Sequence, residues 1–126
     1  MQDLALFAIG HERGRWLAAR VSALATNVAN ADTPGYQPRD VASFDAALKV
    51  AAVQMDRTEP GHLGAGGAVG GSYELVPRAS GVTKHSGNSV SLESEMASLG
   101  EARSQQSAVT SILGTFHRFL LASVKG

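Results

Sequence analysis

Phe7, Gly10, Gly14, Leu17, Val21, Leu24 and Val28 stand at alternating steps of three and four along the first thirty residues of this chain. That spacing keeps one helix face turned toward a partner helix, as in a heptad seam. From Asp3 to about Ala31 there is no proline, and eight alanines favour the helix. Glu12, Arg13, Arg15 and Arg20 fall largely off the stripe. The two glycines on it each cost about 1 kcal/mol relative to alanine, tolerable where another backbone comes very close. Gly10-xxx-Gly14 has the form of a membrane dimer motif, but His11, Glu12, Arg13 and Arg15 around it exclude a lipid setting. The spacing therefore predicts a long helix built for close packing.

A second long helix is expected from about Ser91 to Val124. Ser91 suits an N-cap, and Glu93 and Glu95 sit in the first turns, where the helix dipole favours anions. Lys125 closes the other end with the matching sign. Leu92, Met96, Leu99, Arg103, Gln106, Thr110, Leu113, His117, Leu120 and Val124 again step by four and three, with a polar centre. A second stripe, Val109, Ile112, Phe116 and Phe119, takes over in the last half. At about 1.5 Å per residue the two helices are roughly 42 and 50 Å long. Two such rods bury one seam and leave the rest of each apolar face in water. The core to cover it is thin, because Leu, Ile, Val and Phe make up about 23% of the 126 residues, just above the roughly 20% typical of chains that do not fold alone. An isolated pair is marginal, so the missing core comes from other chains. The sequence has the character of a polymer subunit.

Between the helices the chain reads Asn27-Val28-Ala29-Asn30-Ala31-Asp32-Thr33-Pro34-Gly35-Tyr36. Pro34 pushes Thr33 out of the α region, and Thr33-Pro34-Gly35-Tyr36 fits a type II turn with Gly35 at positive φ. Asn30 tolerates the left-handed conformation that closes a helix. The density of Asn, Asp, Thr and Tyr exceeds what a turn needs and suits a rigid elbow that also contacts a neighbour. Further on, Phe44, Ala47 and Leu48 suggest a helix of two turns. Residues 61–72 hold 6 glycines; Val69 stands where a nucleotide-binding loop would need its third glycine, so a linker is expected. Tyr73-Glu74-Leu75-Val76 and Gly81-Val82-Thr83-Lys84 are expected to pair as short strands.

Other function classes are poorly served. No cysteine is present, which removes disulfides and thiolate chemistry. The formal net charge is +0, against the basic stripe of a nucleic-acid binder and in favour of self-association. No unbroken run approaches the roughly 18 apolar residues of a membrane span. Met1–Gly10 carries Asp3 and no Lys or Arg, unlike a secretory signal. His11, His62, His85 and His117 lie in four separate regions with no second ligand at metal spacing, and no nucleophile elbow or paired-carboxylate pocket is predicted. Trp16 and Tyr36 read as packing anchors.

The terminal helices, the Asn27–Tyr36 elbow followed by Arg39-Asp40, and Gly87-Asn88-Ser89-Val90-Ser91-Leu92-Glu93-Ser94-Glu95-Met96 together resemble the bacterial flagellar rod family. The likeness covers roughly the first 48 and last 40 residues. Asn-x-Ala-Asn is shared with rod, hook and hook-associated proteins, and the short continuation to Tyr36 with Arg39-Asp40 is most similar to proximal-rod members. Ser91 departs from the aspartate common there, and both residues cap helices.

The resemblance implies a mainly α protein, its long terminal helices forming a coiled-coil hairpin around a loop-rich middle with a short β-hairpin. Residues 1–31 and 91–126 would form the inner coiled-coil domain, with the elbow and glycine-rich segment at 32–90. It implies a structural, non-enzymatic subunit of the periplasmic rod, exported without a cleaved signal by the flagellar apparatus. Its partners would be itself, other rod proteins and a membrane-ring adaptor protein, with no cofactor, metal, nucleic acid or small-molecule substrate. Phe7, Leu17, Val21, Leu24, Val28, Leu92, Met96, Leu99, Leu113, Phe116 and Leu120 are the expected subunit-packing residues. Asn27, Asn30, Asp32, Pro34, Gly35 and Tyr36 are the expected elbow. The competing reading is a cytosolic helical-hairpin adaptor or partner of an export system, which leaves the elbow unexplained.

Overall fold

A computed structural model describes residues 2–55, 73–78 and 91–126. In chain order these form α1 (Gln2–Ala29), β1 (Arg39–Val41), α2 (Phe44–Met55), β2 (Leu75–Pro77) and α3 (Leu92–Lys125). The expected glycine-rich linker at 61–72, the strand at Gly81–Lys84, His62, His85 and the Gly87–Val90 approach to α3 lie outside the described residues. α1 and α3 run antiparallel along their lengths. Phe7 meets Phe116 edge-on at 6.1 Å near one end, Arg13 donates to Gln105 at 3.2 Å midway, and Asn27 donates to Glu95 at 2.9 Å near the other end.

The α1 seam faces inward as its spacing demands. Leu17 and Leu24 are fully buried, and Phe7, Gly10, Gly14, Val21 and Val28 are half-buried. The two seam glycines differ in purpose. A methyl group at Gly10 would lie 2.5 Å from Leu113 Cδ2, whereas at Gly14 the nearest atom is Val109 Cγ1 at 3.9 Å. Close approach is thus confined to Gly10, and what approaches it is a leucine side chain, not the expected backbone. Gly14→Ala should raise stability by about 0.5–1 kcal/mol through helix propensity alone, a gain of several degrees in Tm by circular dichroism. Gly10→Ala should gain less, because Leu113 must swing aside. Equal gains at both sites would refute this packing.

The α3 seam is where expectation and structure part. Leu99, Leu113, Phe116 and Leu120 are half-buried, but Leu92, Met96, Arg103, Thr110, His117 and Val124 are exposed. The face turned to α1 in the first half of α3 runs instead through Glu95 and Ala102, both buried. Glu95 can occupy an inward position because two polar partners receive its carboxylate there, so an apolar-only count of the seam misplaces it. The second stripe is split, with Val109 and Phe116 half-buried and Ile112 and Phe119 exposed. α3 contains no unbroken apolar run of 18 residues. Averaged over such a window, however, it is apolar enough by length and composition to cross a membrane, and none of that window is buried. One side of α3 is spent on α1, and the rest is bare.

The small central sheet pairs β1 with β2, antiparallel, Arg39 opposite Pro77, Asp40 opposite Val76 and Val41 opposite Leu75. The strand around Leu75–Val76 is expected from its sequence; among the described residues it pairs with the segment after the elbow, and the expected partner at Gly81–Lys84 lies outside them. Ala42 N donates to Glu74 O at 2.8 Å and Arg78 N to Pro38 O at 2.9 Å, extending the ladder at both ends. β1 carries Val41 into the core beside Trp16 and Leu17, with Phe44, Ala47, Tyr73 and Val109 packed against them. Trp16 anchors this junction. Its ring meets Phe44 at 5.8 Å, its indole N–H donates to Ala42 O at 2.8 Å, and the Arg13 guanidinium stacks over it at 4.6 Å. α2 is longer than the two turns expected, at 12 residues. Ser43 starts it, accepting from Ala46 N at 3.3 Å.

Candidate assembly site

The elbow begins where α1 runs out of backbone partners. Helix ends leave carbonyls without donors, and here side chains supply them. Asn30 donates through Nδ2 to Thr26 O at 2.8 Å and through its backbone N to the same oxygen at 3.1 Å. Thr33 Oγ1 donates to Asn30 Oδ1 at 3.2 Å. The expected left-handed Asn30 is therefore not used; among the described residues the only positive φ belongs to Gly35, at 75°. The capping amide makes the left-handed residue unnecessary. Thr33-Pro34-Gly35-Tyr36 closes with Tyr36 N donating to Thr33 O at 3.2 Å, and with that φ it is the type II turn the sequence predicts. Asp32 and Pro34 are exposed on it.

The turn returns the chain to Asn27, the hub of the region. Asn27 is fully buried and uses its whole amide. Nδ2 donates to Arg39 O at 2.7 Å and to Glu95 Oε2 at 2.9 Å. Oδ1 accepts from Arg39 N at 3.0 Å and from the Tyr36 hydroxyl at 3.1 Å. The side chain thus pairs with the Arg39 peptide much as a neighbouring strand would, and ties α1, the elbow, β1 and α3 at one point.

A chain of charges extends from it. Arg20 Nε reaches Asp40 Oδ1 at 3.2 Å, Arg78 Nη1 reaches Asp40 Oδ2 at 3.1 Å, and Arg78 Nε reaches Glu95 Oε1 at 3.2 Å. Arg78 also donates to Ser98 Oγ. Among the described residues, no buried side-chain nitrogen or oxygen lacks a hydrogen-bond partner. Burying charge is expensive unless every group is paired, and here two cations alternate with two carboxylates. Sequence reading found Asn27 and Tyr36 from motif density but missed the cluster. Arg20 reads as lying off the packing stripe and Glu95 as a first-turn anion facing the helix dipole, and Arg78 carries no signal. The available signal was Asp40 with Arg39 directly after the elbow.

Beside this cluster, the Tyr73 hydroxyl donates to Glu12 Oε1, and Arg15 lies 3.6 Å from the same carboxylate. Burial, reinforced by the Glu12 hydrogen bond and charge, pushes the Tyr73 phenol up to about 12 from 10.0. The folded state therefore favours the neutral phenol. Its contribution is complete below pH 10 and is lost as pH rises through about 12. The ring-carbon resonance of Tyr73 should titrate with a midpoint about 12, falling toward 10 in Glu12→Gln; a wild-type midpoint of 10 would break the contact.

Of the expected packing residues, Leu17 and Leu24 are consumed inside the subunit, while Leu92 and Met96 are 43% and 57% exposed. Leu6, Ile9, Ile112, Phe119, Leu121 and Val124 add further bare apolar surface along both helices. Among the described residues no group of His, Asp and Glu is placed to hold a metal ion, and His11 and His117 are exposed.

Paired long helices, locked by a polar knot and apolar on the outside, define a structural subunit made to pack against other chains. Residues 17–37, which hold the buried Leu17, Leu24 and Asn27 of α1 and the elbow, match the family described as flagella basal body rod protein. The chain is 36% identical over 132 residues to the flagellar basal body rod protein FlgB of Agrobacterium fabrum, covering 99% of this chain and 96% of that one. It is 27% identical over 118 residues to the FlgB of Salmonella typhimurium, covering 86% and 85% respectively. The chain belongs to the FlgB family of flagellar basal body rod proteins. It is a structural subunit of the flagellar basal body, assembling with other rod proteins.

Proposed function

We propose that this chain is a proximal-rod subunit that polymerises helically in the periplasm and passes torque from the membrane ring to the drive shaft. It leaves the cell through the flagellar export apparatus without a cleaved signal and meets the ring through an adaptor protein. It performs no catalysis and takes no cofactor, nucleic acid or small-molecule substrate. Residues 1–31 and 91–126 form the inner coiled-coil domain, and 32–90 make the elbow and outer segment. Leu92 and Met96 pack between subunits, together with the outer edges of Phe7, Val21, Val28, Leu99, Leu113, Phe116 and Leu120. The Asn27, Asn30, Asp32, Pro34, Gly35 and Tyr36 elbow sets the angle between the inner pair and the outer segment. The observation that supports this reading best is the run of bare apolar side chains on both helices of a chain similar to FlgB along nearly its whole length.

The test is mass spectrometry of purified hook–basal bodies against the cytosolic fraction. Recovery of the chain in the detergent-resistant rod is the expected result. Complete basal bodies lacking it, with the chain confined to the cytosol, would overturn the assignment.

A further inference from the structure

A groove of about 970 Å³ runs along the outer flank of α1 beneath the elbow. Its floor is made of small side chains, among them Ala18 and Ser22, its far wall includes Tyr36 and Leu75, and Arg15 and Arg39 stand in its lining. Among the described residues no acidic side chain lines it. A helix fits such a floor, because short side chains let backbones approach closely; Arg39, with Arg15 already shared with Glu12, selects one with negative charge.

We propose that this groove receives the first three turns of α3 from a second copy of the chain. This rests on the rod-subunit reading and specifies the contact it requires. The start of α3 carries Glu93, Glu95 and Glu101 with no basic residue before Arg103. Glu95 is turned inward to Asn27 and Arg78, while Glu93 and Glu101 are exposed. Leu92 and Met96, one turn apart, stand 43% and 57% exposed beside them. An apolar pair flanked by carboxylates matches an apolar floor rimmed by guanidinium groups. The same molecule's α3 cannot supply it, since Glu95 pins that end of the helix to Asn27 with Leu92 and Met96 left in solvent. Among the described residues, the bare stretch at Phe119, Leu121 and Val124 carries Arg118 and Lys125, and the one at Leu6, Ile9 and Ile112 has Arg13 beside it, so either would set cation against cation. Groove and ligand are different patches, so one copy offers its α3 to the next while its own groove takes another, which is a head-to-tail contact. Such a contact repeats into a ring or an open helical filament.

The test places a benzoylphenylalanine photocross-linker at exposed Ser22 in flagellated cells, followed by irradiation, basal-body purification and peptide mass spectrometry. The expected adduct joins peptide 21–39 of one copy to peptide 85–103 of another, and the reciprocal probe at Met96 returns the same pair. Arg39→Glu should lower the adduct yield at least tenfold, and adding Glu93→Arg should restore it. If the chain is present in the basal body but the adduct forms with residues 119–125 or with a different rod protein, the groove proposal is overturned and the rod reading stands. If the chain is missing from the basal body, both fall.

Discussion

Glu95→Ala is expected to destabilise the chain by about 3–5 kcal/mol, the usual cost of removing one partner from a buried ion pair. Glu95 is 3% exposed. Its loss leaves Arg78 Nε without an acceptor and one Asn27 N–H facing a void. Marginal cores tolerate little of this, because native domains hold only about 5–15 kcal/mol in total. The damage would spread, since Asn27 also holds the Arg39 peptide and Arg78 also holds Asp40. Glu95→Gln keeps the shape and one acceptor, so it should cost clearly less. Urea unfolding monitored by circular dichroism measures both. A Glu95→Ala loss below about 1 kcal/mol would mean that water replaces the carboxylate without penalty, and the knot would then be ornamental.

Leu24→Asp should be at least as severe. The side chain is fully buried on the α1 seam. Its replacement forfeits about 1.5–3 kcal/mol of apolar burial and puts an unpaired carboxylate where desolvation costs several kcal/mol more. The helix pair should open, the purified chain should lose its cooperative melt, and basal bodies should exclude it. Leu92→Asp is the informative contrast. That leucine is already 43% exposed in the isolated chain, so the melting temperature should fall far less than in Leu24→Asp while incorporation into the rod falls. A normal melt and normal swimming in Leu24→Asp would refute the packing described for α1.

Most of the architecture could be read from the residues, for reasons that differ by element. α1 was legible because its inward face is apolar and periodic, and the burial of Leu17 and Leu24 follows the heptad. The type II turn was legible because Pro34 and Gly35 each restrict one torsion, and such restrictions act locally. α3 was legible as a helix but not in its rotation. Its inward residue at one end is a glutamate, and what makes that position tolerable is an arginine seventeen positions earlier on β2's exit. Charge pairing across such separations leaves no periodic trace. The pairing of β1 with β2 escaped for the same reason, as three-residue strands carry too little alternation to name a partner. Arg13 and Arg20 lie off the stripe, but their half-buried stacking on Trp16 depends on where β1 delivers Asp40 and the start of α2 delivers Phe44.

The two-stranded ladder has a consequence for how this subunit can be altered. Because β1 and β2 hold Ala42 and Glu74 within one hydrogen bond of each other, the stretch between them starts and ends at a single narrow gate on the helical body. Length added beyond that gate changes closure entropy only logarithmically, about 0.6 kcal/mol for each doubling. An epitope tag or fluorescent peptide inserted between Met55 and Tyr73 should therefore leave α1, α3 and the polar knot in register, giving a handle for counting subunits in single motors. The same tolerance gives evolution a place to lengthen or shorten the subunit without renegotiating its core.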